Sequence, residues 1–305
     1  MKTSKKIALI TAGACLVLGA AVSVSAFASM DFDFNKLDTV KKVTNEVVIE
    51  DNFNSINIDD SSSDIKILPS TDNKCRIEFY EYLNESHTTK IENNTLYIEC
   101  EDGGSWMNHF HLFNFRSPYV EVHLPEKEYN SLNIKISSGD ITVDESFSFK
   151  NADCECSSGD IDFYADADIL DVQTTSGDVK LSGVKADTIN TNCTSGDMTT
   201  NGVQCKSISA QCTSGDIELK SVVSSGGFMV QTSSGDIELK ACDGQKIELE
   251  ASSGDIEGSL LTEKRFHAES SSGDVSTPAN DSPTKSECRA KTSSGDIVLW
   301  IGNEN

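Results

Sequence analysis

The chain has 305 residues, 25 Lys+Arg against 49 Asp+Glu for a formal net charge of -24, and 37% hydrophobic residues. A field of that sign repels phosphate backbones and anionic headgroups, which excludes nucleic acid as a partner and leaves membrane contact to the N-terminal segment alone. The length allows one to three domains.

Residues 7–30 carry no charged side chain and follow Lys2, Lys5 and Lys6. An uncharged run of that length is enough to span a bilayer with the lysines held inside, and small residues near Ala26 and Ala28 also suit a signal peptidase. Residues 1–30 are therefore expected to be a single-pass signal anchor (N-terminus inside) or a cleaved signal peptide. Either way the bulk of the chain leaves the cytoplasm. Residues 31–44 read as a short linker.

Residues 45–128 are expected to form an irregular β region that caps the N-terminal end of a repeat array. Ile56, Ile58, Ile65 and Ile67 alternate around Ser63 like a repeat unit that has lost its turn glycine. Cys75-Arg76-Ile77-Glu78-Phe79, Leu96-Tyr97-Ile98 and Val120-Glu121-Val122-His123-Leu124 alternate in the same way, and Asn93-Asn94 predicts a hairpin turn. Cys75 and Cys100 are the better candidates for a disulfide among ten cysteines. The stretch 103–118 stands apart: Trp106, Phe110, Phe113 and Phe115, with His109 and His111, make a candidate binding loop or a cover over the end of the stack.

From residue 129 to 305 the sequence is periodic. Ser-Gly-Asp recurs with glycine at Gly139, Gly159, Gly177, Gly196, Gly215, Gly235, Gly254, Gly273 and Gly295, at intervals of 18 to 22 residues. Aligned on that glycine, apolar or small residues fall seven, five and three positions before it and two and four after it. One column reads Leu132, Ala152, Leu170, Ile189, Ile208, Phe228, Ile247, Phe266 and Cys288. A step of two is the period of a strand, and even spacing of short units marks a solenoid. The fold class is therefore all-β: a parallel β-solenoid, or β-helix, of about nine to ten rungs of ~19 residues, each reversing at Ser-Gly-Asp. Glycine supplies a positive φ at the corner, and the flanking Ser and Asp can accept from backbone N–H groups. Most cysteines fall on inward columns, where a thiol acts as a small hydrophobe; Cys193 and Cys212 share one such column. Trp300 is expected to close the C-terminal end.

The aspartates of the turns form a column in which Asp178, Asp197, Asp216, Asp236 and Asp255 would be the candidates for calcium. One carboxylate per rung falls short of the six to eight oxygens that calcium takes, so a structural turn is the favoured reading. His87, His109, His111, His123 and His267 show no metal-ligand spacing such as His-Glu-x-x-His. His109 and His111 on one strand face could ligate a metal, but no third ligand is evident, and they are expected as solvated loop residues. No nucleophile elbow, phosphate loop or Cys-x-x-Cys occurs in the sequence, and no catalytic residue, resident metal or cofactor is expected.

Together, the lysine-led apolar start, Asp33-Phe34-Asn35-Lys36-Leu37, the strand Val120-Glu121-Val122-His123-Leu124 ending in Pro125, and the Ser-Gly-Asp-Ile array resemble the bacterial putative-adhesin family, a domain of unknown function common in Gram-positive bacteria. The resemblance spans nearly the whole chain. It implies a β-solenoid on the outer face of the membrane, an adhesive role toward a surface protein or glycan, and no catalytic residues. Two other readings stand beside it: an envelope spacer or sensor without a ligand, and a carbohydrate-active β-helix enzyme.

Overall fold

Side chains that alternate between buried and exposed with a period of two build nearly every strand of this protein. The computed structural model describes residues 42–82, 86–101, 118–279 and 286–302, and there the regular secondary structure is all strand. None of the described residues belongs to a helix long and apolar enough to cross a membrane; the N-terminal apolar segment lies outside them.

The fold is a parallel β-solenoid of about eight regular turns. Each turn places a long strand before Ser-Gly-Asp and a short one after it, and the two belong to opposite sheets. The long strands Glu128–Ser138, Ser148–Ser158, Asp166–Ser176, Lys185–Ser195, Gln204–Ser214 and Val223–Ser234 pair in parallel, each with the next. The short strands Ile141–Val143, Ile161–Phe163, Val179–Ser182, Met198–Asn201 and Ile217–Lys220 do the same on the other wall. The predicted columns stack in register: Leu170 opposes Ile189, Ile189 opposes Ile208, and Ile208 opposes Phe228. All four are buried between the walls.

At both ends the spatial order of the rungs departs from chain order, which the regular spacing does not reveal. The N-terminal segment Ser55–Asp60 and Asp64–Pro69, the glycine-less unit, lies between two later rungs. Its first strand pairs with Thr95–Glu101 on one side and Glu128–Ser138 on the other. Its second pairs with Tyr119–Leu124 and Ile141–Val143. The C-terminal segment is inserted in the same way. Glu287–Ser294 lies between Ile237–Ser253 and Arg265–Ser270, and Ile297–Ile301 between Ile256–Leu260 and Val275–Ser276. Trp300 therefore sits opposite Ser259 on an inserted strand and is not an end cap. The Gly273 rung takes the outer place. It is thinner than the others, with a second strand of only two residues and Val275 44% exposed, so the rungs are not the equivalent set of nine to ten that the spacing suggests.

Beyond the split rung of Thr95–Glu101 and Tyr119–Leu124, two strands run antiparallel. Cys75–Tyr82 pairs with Tyr119–Leu124, and Ser86–Glu92 pairs with Thr95–Glu101. The hairpin falls at Asn93-Asn94, whose φ values of 50 and 66 suit the tight turn that the twist of a two-residue hairpin favours. Cys75 is buried in one sheet and Cys100 lies in the other, both as free thiols, so the two candidates for a disulfide are not bridged here. Cys193 and Cys212 are opposed in register and also free.

Each regular turn has two corners with different requirements. At the Ser-Gly-Asp corner Gly215 has φ 143, and a Cβ built there would lie 2.0 Å from the carbonyl oxygen of Gly196 on the rung below. Six residues on, the second corner also takes positive φ, at Gly183, Gly202, Ser221 and Ala241. There a Cβ on Gly183 meets nothing within 4 Å, so a side chain costs only backbone strain. Opposite outcomes are expected in urea denaturation. Gly215→Ala loses about 3 kcal/mol or more from strain and overlap. Ala241→Gly gains about 0.5–1 kcal/mol, the left-handed strain relieved less the extra chain entropy of glycine.

Candidate functional site

The polar groups of the Ser-Gly-Asp corner are nearly all consumed by the neighbouring rung. The Gly177 N–H donates to Ser195 O at 3.0 Å, and Val179 N–H donates to Asp197 O at 2.9 Å. The Asp197 N–H donates back to Asp178 Oδ1 at 2.8 Å. This carboxylate ladder starts at Asp64, which accepts from Asp140 N–H, and runs on through Asp160, Asp178, Asp197, Asp216, Asp236, Asp255 and Asp296 to the Asp274 amide. The glycine carbonyl is met from within, by the side chain three positions before the next glycine. Cys156 Sγ–H donates to Gly139 O, Thr174 to Gly159 O, Cys193 to Gly177 O, Cys212 to Gly196 O, Thr232 to Gly215 O, Thr292 to Gly254 O and Ser270 to Gly295 O. A donor at this position satisfies a carbonyl turned inward; Ala251, in the same column above Gly235, is the exception and offers none. The column's small size in the sequence suggests no more than a tapering core, and the donor role becomes visible only with the rungs stacked.

The aspartates considered for calcium thus spend one oxygen each on the next rung. A bond to a charged acceptor contributes about 1.5–3 kcal/mol, which outweighs the repulsion of about 0.9 kcal/mol between carboxylates 4.8 Å apart in water. Among the described residues, the three-ligand cluster lies elsewhere, at Asp60, His87 and Cys100. The aromatic residues Trp106, Phe110, Phe113 and Phe115 lie outside the described residues, as do His109 and His111.

Two long faces of the rod differ in character. On the wall of short strands, Asp197, Asp216, Asp236 and Asp255 line an acidic groove with Glu218, Glu238 and Glu257. The wall of long strands carries an uncharged column instead. Gln173, Asn192, Gln211 and Gln231 oppose one another in register, followed by Glu250. Gln211 Nε2 donates to Gln231 Oε1 at 3.3 Å, and Gln231 Nε2 to Glu250 Oε2 at 3.0 Å. Beside it runs a column of hydroxyls, Thr194, Thr213, Ser233 and Ser252, and the two columns enclose a shallow groove of about 380 Å³.

The third feature is a buried charge cluster at the N-terminal end. Asp60 closes the strand Ser55–Asp60, Glu81 lies on Cys75–Tyr82, His87 is the second residue of the strand Ser86–Glu92, and Cys100 opposes His87 across the hairpin. His87 Nε2 lies 2.6 Å from Asp60 Oδ2, and Nδ1 lies 2.8 Å from Glu81 Oε2. The side chains of His87 and Asp60 are each 1% exposed, and that of Glu81 9%. Asp60 Oδ1 accepts from the N–H groups of Ser62 and Ser63, Glu81 Oε1 accepts from Asn45 Nδ2, and the imidazole stacks on Phe79. Burial alone would lower the His87 pKa, but hydrogen bonds to Asp60, Cys100 and Glu81 and the Asp60 charge push it up to about 10. For Asp60 burial opposes ionisation, yet the His87 and backbone hydrogen bonds hold its carboxyl below the usual range.

His87 therefore stands in a cluster of possible metal ligands although no ligand spacing in the sequence marks it. One signal was present: with Ser63 in the glycine position, Asp60 falls three before it, on an inward column where cysteine and threonine recur. An ionisable side chain there demands a buried partner. His87→Gln is expected to cost about 3–5 kcal/mol, because it leaves two buried carboxylates without their cation. The pH dependence follows from the raised imidazole value. Its stabilisation is complete below the ordinary 6.5 and lost as pH rises through about 10, a limb that metal-free wild type shows in chemical denaturation and His87→Gln lacks.

The Toastrack DUF4097 family profile matches residues 53–167 and again residues 163–303. No curated protein matches the chain. Among solved structures, the chain is similar to a putative adhesin from Bacteroides fragilis NCTC 9343, with 16% identity over 86% of this chain and 97% of that one, at a TM-score of 0.47. A putative adhesin from Parabacteroides merdae ATCC 43184 has 14% identity over 86% and 97%, at 0.42. A putative lipid binding protein from Parabacteroides distasonis ATCC 8503 has 16% identity over 86% and 97%, at 0.40.

Proposed function

The chain belongs to the Toastrack DUF4097 family, and from that premise we propose that it is a non-enzymatic, extracytoplasmic binding module that holds a hydroxyl-rich surface glycan along its amide face. The observation that carries this reading is the in-register column Gln173, Asn192, Gln211 and Gln231 beside the hydroxyls of Thr194, Thr213, Ser233 and Ser252. A side-chain amide presents donor and acceptor together, which suits adjacent sugar hydroxyls. Rungs at about 4.8 Å repeat that pair at a spacing comparable with the advance per residue of an extended polysaccharide. The groove carries no cationic side chain, Glu250 at its end is an anion, and the chain has a net charge of -24, so it favours an uncharged polymer over an anionic one.

Export by the N-terminal apolar segment belongs to the same proposal, as anchor or as cleaved signal. Catalysis does not: each turn aspartate repeats the role of its neighbours, whereas a hydrolytic pair is a local exception on a scaffold. Two of the three structural relatives named above bear the name putative adhesin; for this chain the proposal rests on its own face.

Co-sedimentation of the purified chain with insoluble neutral polysaccharides tests the reading. Wild type should be retained, and Asn192→Ala/Gln211→Ala/Gln231→Ala should bind at least tenfold more weakly with a melting temperature close to wild type, since these side chains lie at the surface. Equal retention of the two proteins would overturn the amide face as the binding surface, and retention of neither would favour the spacer reading.

A further inference from the structure

We propose that Asp60, His87 and Cys100 form a zinc site, with Asp60 Oδ2, His87 Nε2 and Cys100 Sγ as the protein ligands. The donor atoms of the three residues lie within 4.8 Å of one another. Tetrahedral bonds of about 2.1 Å place ligand atoms about 3.4 Å apart, so the 2.6 Å between Asp60 and His87 must open by less than about 1 Å to admit the cation. A set of one imidazole, one thiolate and one carboxylate suits zinc, whereas calcium and magnesium take oxygen. Water completes the fourth position.

The surroundings are those of a metal site. Glu81 accepts from His87 Nδ1, which fixes the tautomer that leaves Nε2 free as a ligand, the carboxylate–histidine arrangement found behind many zinc ions. The free oxygen of Asp60 is held by the Ser62 and Ser63 amides, so the ligand oxygen has a set direction. Cys100 is only half-buried and gives the cation a way in.

Charge balance permits the exchange. Without metal the cluster holds two carboxylates, an imidazolium and a thiol. Binding releases the Nε2 proton of His87 and the thiol proton of Cys100, and Zn²⁺ replaces them. Two positive charges arrive, one leaves the imidazolium and one negative charge appears on sulfur, so the net charge of the buried cluster is unchanged.

The test uses the full chain, reduced and stripped with chelator, and titrated with Co²⁺ and then Zn²⁺. One Co²⁺ per chain should give the intense visible bands of a tetrahedral centre and a thiolate charge-transfer band, both abolished by Zn²⁺. Cys100→Ser should lose the charge-transfer band and bind Zn²⁺ at least about tenfold more weakly, and Glu81→Gln, acting through His87, should weaken binding by a similar factor. X-ray absorption of the zinc-loaded wild type should show one sulfur in the coordination shell, a readout that needs no variant to fold. Absence of the cobalt spectrum, a shell of nitrogen and oxygen only, or a Cys100→Ser protein with unchanged spectrum and affinity would overturn the assignment.

Discussion

The close approach of successive rungs at the Ser-Gly-Asp corner is the constraint on which the rest of the molecule depends. A Cβ at Gly159, Gly177, Gly196, Gly215, Gly235 or Gly254 would lie 1.9 to 2.1 Å from the glycine carbonyl of the rung beneath, which only a hydrogen can tolerate. That contact fixes where the chain reverses, and so fixes the register of both walls. Once glycines are stacked so tightly, most of their carbonyls take a donor from the Cys/Thr/Ser column, with Ala251 the exception, while the aspartates outside receive the remaining amides. A short motif thereby specifies an acceptor, a donor and a steric limit for the rung before it.

The periodic half of the fold was legible in the sequence because every rung repeats the same local problem. Alternation marks the walls, and a conspicuous glycine marks the corner. The ends were not legible, since the partner of a strand leaves no local trace. The Gly273 and Gly295 units have similar sequences, yet the second lies inside the first. Trp300 looked terminal because it is near the end of the chain, and it is internal for the same topological reason. The second corner also escaped notice, because its Gly183, Gly202, Ser221 and Ala241 share a conformation without sharing a residue type. Of the buried cluster only Asp60 could be suspected from its column; His87 and Glu81 meet it through antiparallel strands outside the repeat, and Cys100 through the neighbouring parallel strand Thr95–Glu101.

Insertion of both terminal segments changes how a repeat array meets water. In a stack that ends where its chain ends, the outermost unit has one neighbour and frays first. Here Ser55–Pro69 and Glu287–Ile301 are held by rungs on both sides, so neither can leave without breaking two ladders. The rungs outside them are tied covalently to the stack at both of their own ends. The ion-paired cluster of Asp60, His87 and Glu81 lies within the N-terminal of these locks, and Lys264, buried against Asp243 at 2.5 Å, lies at the C-terminal one, where the chain skips a rung. Buried charge thus gathers where the topology is irregular, and the regular rungs between need only apolar columns and the turn ladder.

Amide hydrogen exchange at the turn aspartates tests the central claim most directly. The side chains of Asp197, Asp216 and Asp236 are exposed, yet their N–H groups donate to the carboxylates of Asp178, Asp197 and Asp216. The account predicts protection at these amides comparable with that of the buried strand residues beside them, such as Met198 and Ile217. Exchange at the rate of an unstructured loop, with the flanking strands still protected, would contradict it.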